Sequence, residues 1–417
     1  MRTTSAGITT RVTRILVLLA VITVVGFGAA SGGSAQGVEG ARWVTAWATS
    51  QQALGATTIA NATVRMIARV TVGGESVRVR LDNTFGTDPL VIGAAYVGAV
   101  RRGAALSPDS NRPLRFGSSA GVTVAPGGTV LSDPVSMQVI ARQDLAVSLY
   151  VPEADVRPSQ HAQANVTSYM SDAGSGDLAA HESDEFFTGT TTSTFWLKGI
   201  DVLSQSATGT VVGFGDSITD GTCTTLDAHD RWQDWLAMRL YLAAPDAHPA
   251  VVNEGIGGNT IVGEVLPPPT SPTGLDRLDR DVLSHTGVTH VVLFMGTNDI
   301  RREVPAARLI AGMQDIVDRV KARGLTIIGT TIIPRHNRPA SGSNSGWNPA
   351  KTRIRREVND WIRTGGAFDG VIDFDGVVRD RADPDRISAA FDCDGIHPNP
   401  RGYFEMGGAV PLGLFAP

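Results

Sequence analysis

After about Thr208 the chain alternates between two textures. Short, continuously apolar runs lie at Thr210 to Phe214, Ala250 to Asn253, His290 to Met295, Leu325 to Ile333 and Val371 to Phe374. Between and after them come stretches of helical periodicity: Arg231 to Leu242, Leu275 to Ser284, Pro305 to Arg323, Pro349 to Arg363 and Arg401 to Gly408. In the third, Ala306, Leu309, Ile310, Met313, Ile316, Val317 and Val320 fall on one helical face. A strand that is apolar throughout must be covered on both faces, and a helix between consecutive strands makes them parallel. Residues 208 to 417 are therefore expected to form an open, doubly wound α/β sheet. Its functional groups should gather at the carboxyl ends of the strands.

Residues 36 to 207 read differently. Runs rich in Val, Ile, Thr and Tyr lie at Thr63 to Val72, Ser76 to Leu81, Val91 to Val100, Gly121 to Val124, Val135 to Ile140 and Leu145 to Val151. Gly73-Gly74, Asp88-Pro89, Pro126-Gly127-Gly128 and Asp133-Pro134 punctuate them as turns. Val77-Arg78-Val79-Arg80-Leu81 alternates strictly, as a half-buried strand does. No helix of normal length fits, so a β-sandwich-like domain is expected.

The first 35 residues have a third character. Arg2, Arg11 and Arg14 precede an apolar run from Ile15 to about Ala30, and Gly33-Ser34-Ala35 comes next. Basic start, apolar centre and small-residue exit are the parts of a secretory signal peptide, cut after Ala35. A retained anchor is the alternative reading. The run is short for a membrane span, and no later stretch is apolar enough to make one. The mature chain is thus expected to be secreted. The net charge of −5 excludes a strongly basic nucleic-acid binder. Two cysteines exclude a four-cysteine zinc site.

The residues at the end of each apolar run bear on chemistry. The first run ends in Gly215-Asp216-Ser217-Ile218-Thr219-Asp220-Gly221. The second ends in Asn253-Glu254-Gly255-Ile256-Gly257-Gly258-Asn259, and the third in Gly296-Thr297-Asn298-Asp299. Asp394-Gly395-Ile396-His397-Pro398 lies near the C terminus. Each alone has a plain structural reading as a turn, a helix cap or a surface histidine. Together they supply the requirements of a serine nucleophile. A hydroxyl attacks only when a base takes its proton, a role open to His397 with Asp394 fixing its tautomer. The N–H groups of Ser217 and Gly258 and the amide of Asn298 could receive the oxyanion. Gly117-Ser118-Ser119-Ala120-Gly121 also fits a Gly-x-Ser-x-Gly pattern, but strand and turn succeed it where a helix is required. His181-Glu182 lacks the second histidine of a zinc-protease helix.

These blocks resemble the GDSL or SGNH hydrolase family, named for its serine, glycine, asparagine and histidine. Ser217, Gly258, Asn298, Asp394 and His397 each sit on a family position. The resemblance implies a three-layer, flavodoxin-like doubly wound parallel sheet and metal-free ester hydrolysis without a cofactor. More loosely, the whole chain resembles a secreted bacterial two-domain subgroup with an N-terminal β domain.

Cys223 lies shortly after Ser217, and Cys393 shortly before His397. Contact between Ser217 and His397 would bring the cysteines near each other too. In a secreted protein a disulfide is expected, with two buried thiols as the alternative. Two loops should border the pocket: residues 266 to 274, with Pro267-Pro268-Pro269, and residues 335 to 349, with Arg335, His336, Asn344 and Trp347. Such a rim suits a sugar or other polar ester, and no amphipathic lid helix is evident. The expectation is a monomeric serine esterase for acetyl or small acyl esters on polysaccharide. The alternatives are a lipase or phospholipase with a longer acyl pocket, and a non-catalytic carbohydrate-binding protein.

Overall fold

A computed structural model describes residues 40–263, 271–336 and 346–416. The expected signal peptide at residues 1–35, Pro267 to Pro269 and Asn344 lie outside the described residues.

The β-rich part is built as the alternation requires. Its principal strands are β1 (Arg42–Ala48), β2 (Ala62–Arg69), β3 (Gly74–Asp82), β4 (Ala94–Arg102), β5 (Asp144–Val151) and β6 (Leu197–Ser204). One antiparallel sheet contains β1, β6 and β3 in that order, and a second contains β2, β5 and β4. Along β3, Val77, Val79 and Leu81 are buried while Arg78 and Arg80 are partly exposed. Val77, Val79 and Leu81 share one apolar cluster with Val64 and Met66 of β2, Val147 and Leu149 of β5 and Val97 of β4. Two sheets therefore enclose one core. No helix occurs among the described residues before Ser217. Strand β6 ends this region, running past Lys198 to Ser204.

The second half begins at β7 (Ala207–Gly215), succeeded by β8 (His248–Gly255), β9 (Val288–Phe294), β10 (Thr326–Thr330) and β11 (Gly370–Ile372). All pair in parallel, in the order β8-β7-β9-β10-β11. Gly215 is level with both Gly255 and Phe294, so the loops leaving these three strands start from one rim. The principal helices are α1 (Ser217–Asp220), α2 (Trp232–Ala243), α3 (Gly274–Leu278), α4 (Thr297–Arg301), α5 (Ala306–Lys321), α6 (Pro349–Thr364), α7 (Phe374–Val378) and α8 (Pro400–Ala409). Asn-Pro opens both α6 and α8. Asn348 and Asn399 cap backbone N–H groups, and proline takes the first turn, where its missing donor costs nothing.

Strand residues alternate between two clusters. Val212, Val291, Leu293 and Ile327 pack with Leu309, Met313 and Ile316 of α5 and Val358 of α6. Val211, Val251, Val292 and Ile328 pack with Trp232 and Leu236 of α2 and Tyr403 and Met406 of α8. One expected helix differs. Leu275 to Ser284 divides into α3 and a π-helical turn at Asp279–Leu283, where the backbone hydrogen bonds lengthen by one residue.

The described residues form one compact unit. Ala207 of β7 and Ala250 of β8 lie in the apolar cluster of the β region, and Ala48 of β1 lies in the cluster beneath α5. Thr45 N–H donates to Thr286 O at 2.9 Å, and Thr210 Oγ1 to Thr45 O at 3.1 Å. Among the described residues no helix is long and apolar enough to cross a membrane.

Candidate active site

Ser217 is the first residue of α1, at the carboxyl end of β7. Asp216 caps that helix, its side chain accepting from Ile218 N–H at 3.0 Å. Gly255 lets the next loop pass close by, since a Cβ there would meet the Asp220 backbone nitrogen at 2.1 Å.

The C-terminal loop brings up the histidine. Asp394 Oδ1 accepts from the backbone N–H of Ile396 at 3.0 Å and of His397 at 2.9 Å, which folds the loop into a tight turn. Asp394 Oδ2 lies 2.8 Å from His397 Nδ1, and His397 Nε2 lies 2.8 Å from Ser217 Oγ. A carboxylate at Nδ1 keeps the proton there and turns the Nε2 lone pair toward the serine. Partial burial opposes ionisation of Asp394. The hydrogen bond and charge of His397, with the two backbone N–H groups, outweigh it and hold the carboxyl at about 2. Ser217 and His397 are each only 8 % exposed, so their hydrogen bond competes with little water.

Gly258 and Asn298 stand on the same rim. Gly258 has φ of +74° and open space beside its α-carbon, a conformation and a clearance that a side chain would remove. Asn298 Nδ2 donates to Asn259 O at 3.0 Å. Asp299, next in the chain and fully buried, accepts from Ile261, Val262 and Gly263 N–H, each at 2.9 Å. It thereby locks the loop after Gly258 to α4. Burial raises the Asp299 carboxyl against those three bonds. Burial also raises Asp216, to about 7.

Cys223 and Cys393 form a disulfide, with α-carbons 6.5 Å apart. Cys223 Sγ, Asp394 and His397 present possible ligand atoms within 4.8 Å of one another. The disulfide takes up the sulfur, so this group offers no thiolate to a metal.

Arg335, His336 and Trp347 line one cavity of about 400 Å³ with Thr352, Arg353 and Asp383. The Arg335 guanidinium lies 5.2 Å over the Trp347 ring, and His336 Nε2 lies 3.1 Å from Asp392 Oδ2. His336 N–H donates to Gly395 O at 3.1 Å, which joins this wall to the histidine loop.

Two residues that no sequence pattern singled out also border the site. His161 of the β region reaches Asp220 Oδ1 with Nε2 at 3.0 Å and Ser50 O with Nδ1 at 2.9 Å. Burial works to lower its pKa, but Asp220 prevails and raises it. Arg277, on α3, is 1 % exposed. In sequence both look like ordinary polar residues, and only their burial marks them.

Residues 214–403 match the family model of the GDSL-like Lipase/Acylhydrolase family. No curated protein matches the chain. Among solved structures, the native M. smegmatis aryl esterase is similar at 18 % identity, covering 48 % of this chain and 95 % of its own, with a TM-score of 0.39. A GDSL-like lipase from Bacteroides thetaiotaomicron is similar at 18 % identity, with coverage of 49 % and 87 % and a TM-score of 0.36. A member of the lipolytic protein G-D-S-L family from Veillonella parvula is similar at 19 % identity, with coverage of 48 % and 94 % and a TM-score of 0.35. With the serine, glycine, asparagine and histidine blocks on one rim, the segment from 214 to 403 belongs to the GDSL-like lipase/acylhydrolase family, and the chain is a carboxylic ester hydrolase by class.

Proposed function

We propose that the protein is a secreted, monomeric serine esterase acting on acetyl or other small acyl esters of polysaccharide. The observation that carries this reading is the chain of two 2.8 Å contacts from Asp394 through His397 to Ser217. Ser217 Oγ attacks the ester carbonyl carbon while His397 Nε2 takes its proton. The oxyanion sits among Ser217 N–H, Gly258 N–H and the Asn298 amide. His397 then gives its proton to the departing alcohol, leaving an acyl-enzyme. Water attacks that ester by the same route in reverse, releasing the acid and restoring the serine.

The polar wall of Arg335, His336 and Trp347 supports a sugar as the alcohol portion. The basic, apolar, small-residue order of residues 1–35 supports secretion, and a disulfide fits an oxidising compartment. The two clusters on alternate strand residues support the three-layer arrangement.

A hydrolysis panel running from acetylated xylan to long-chain acyl esters tests the substrate. Turnover should be highest on acetyl esters of the polymer. Preference for long acyl chains would select a lipase or phospholipase instead. No turnover of any ester would leave only a binding protein.

A further inference from the structure

Arg277 joins the strand end that leads to Ser217, the end of β8 and the turn that carries Gly258. Its Nη2 donates to Gly215 O at 2.8 Å, at the end of β7 just ahead of Asp216 and Ser217. Its Nη1 donates to Glu254 O at 2.9 Å, at the end of β8. Its Nε donates to Asn259 Oδ1 at 2.9 Å. Asn259 is the next residue after Gly258, and its backbone carbonyl accepts the Asn298 amide. The same guanidinium lies 4.3 Å over the Phe214 ring. From the β region, Ser50 Oγ accepts from Nη1 at 2.8 Å and donates to the Glu254 carboxylate. Asp281, 3.4 Å away, supplies the countercharge.

A buried cation is expensive, and apolar packing could close this space at less cost. Only a guanidinium offers a rigid plane of five donors at fixed angles. Here that plane spans two strand ends and the side chains of Asn259 and Ser50, which sets their separation.

We propose that Arg277 is a positioning residue: its guanidinium fixes the distance between the strand end that presents Ser217 and the turn that presents Gly258 and holds Asn298. Ser50 anchors it from the β region, so the β region takes part in shaping the oxyanion site. Arg277 touches neither substrate nor reacting atoms in this role. The inference rests on the proposed roles of Ser217, Gly258 and Asn298.

The test uses the full chain and a chromogenic acetate ester, with active sites counted by a covalent serine reagent. Arg277→Lys keeps the charge but loses the fork. It should lower kcat about tenfold or more while KM moves less than about twofold, as expected when interactions made only in the transition state are lost. Because the effect passes through Asn259 and Asn298, the loss in Arg277→Lys/Asn298→Ala should fall well short of the product of the single losses. Asn259→Ala carries the same readouts if Arg277→Lys fails to fold. Independent, multiplying losses, or a change in KM alone, would overturn the proposal. Ser217→Ala is measured in parallel. If it stays active, the esterase reading and this one fall together. If it is inactive while Arg277→Lys and Asn259→Ala keep wild-type kcat, only the positioning role falls.

Discussion

Asn298 donates its side-chain amide to the backbone carbonyl of Asn259, 3.0 Å away. A carboxamide has two N–H bonds, so one is spent orienting the group and the other is available to a substrate. Asn298→Ala should lower kcat about 10²–10³-fold, the usual loss for one oxyanion donor, with KM little changed. Steady-state kinetics check this. A rise in KM without loss of kcat would make Asn298 a ground-state contact instead.

Ser217→Ala should abolish nearly all ester hydrolysis, by several orders of magnitude, with an unchanged melting temperature. Ser119→Ala should leave kinetics as they are. Ser119 closes a tight turn with Phe116, and a β-strand at Val122–Val124 comes next, so no helix presents its hydroxyl.

Reduction of Cys223–Cys393 should lower both thermal stability and activity below the melting temperature. The bond closes a loop of sequence separation 170, which in the chain-entropy model is worth about 5 kcal/mol. It also ties the segment after α1 to the loop of Asp394 and His397, so its loss frees the base relative to the nucleophile. Thiol titration of the denatured, unreduced protein should find no free thiol. Unaltered kcat after complete reduction would limit the bond to a stabilising role.

Asp394 titrates at about 2 in the folded protein, below the ~3.9 of an unfolded chain. Its ionised form thus favours the fold. That stabilisation is complete above about pH 4 and is lost as pH falls through about 2. The difference in melting temperature between wild type and Asp394→Asn should shrink as pH falls from about 4 toward 2. A gap that widens on acidification would contradict the sign. At neutral pH Asp394→Asn should also lose most of its turnover, because an amide does not hold the imidazole in the needed tautomer.

Apolar periodicity made the parallel strands legible, because a continuously apolar run allows few other fates. The residues after β7, β8 and β9 were legible as a group for the same reason: parallel strands deliver their loops to one rim. Strand β6 was not. Leu197-Lys198-Gly199-Ile200-Asp201 carries two charged residues, and both are buried against partners that sequence does not reveal: Lys198 against Asp281 at 2.9 Å, Asp201 against Arg78 at 2.9 Å. Arg277 was hidden by the same means. In Gly274-Leu275-Asp276-Arg277-Leu278-Asp279-Arg280 it reads as one charge of a solvated helical face. Pattern tells which apolar groups go inside, but not which polar groups accompany them.

The three alanines at the junction have a consequence for lineage and engineering. Ala207 and Ala250 belong to the core of the β region, and Ala48 to that of the sheet. A buried surface to which both halves contribute side chains is not readily re-paired with an arbitrary partner, because packed interiors tolerate changes of volume poorly. The two halves would therefore have to change together, and a hydrolase segment excised at residue 208 would leave a bare face where Thr45 and Ser50 now dock. Recombining this segment with another β region would require matching that face residue for residue, as in the re-engineering of an obligate heterodimer.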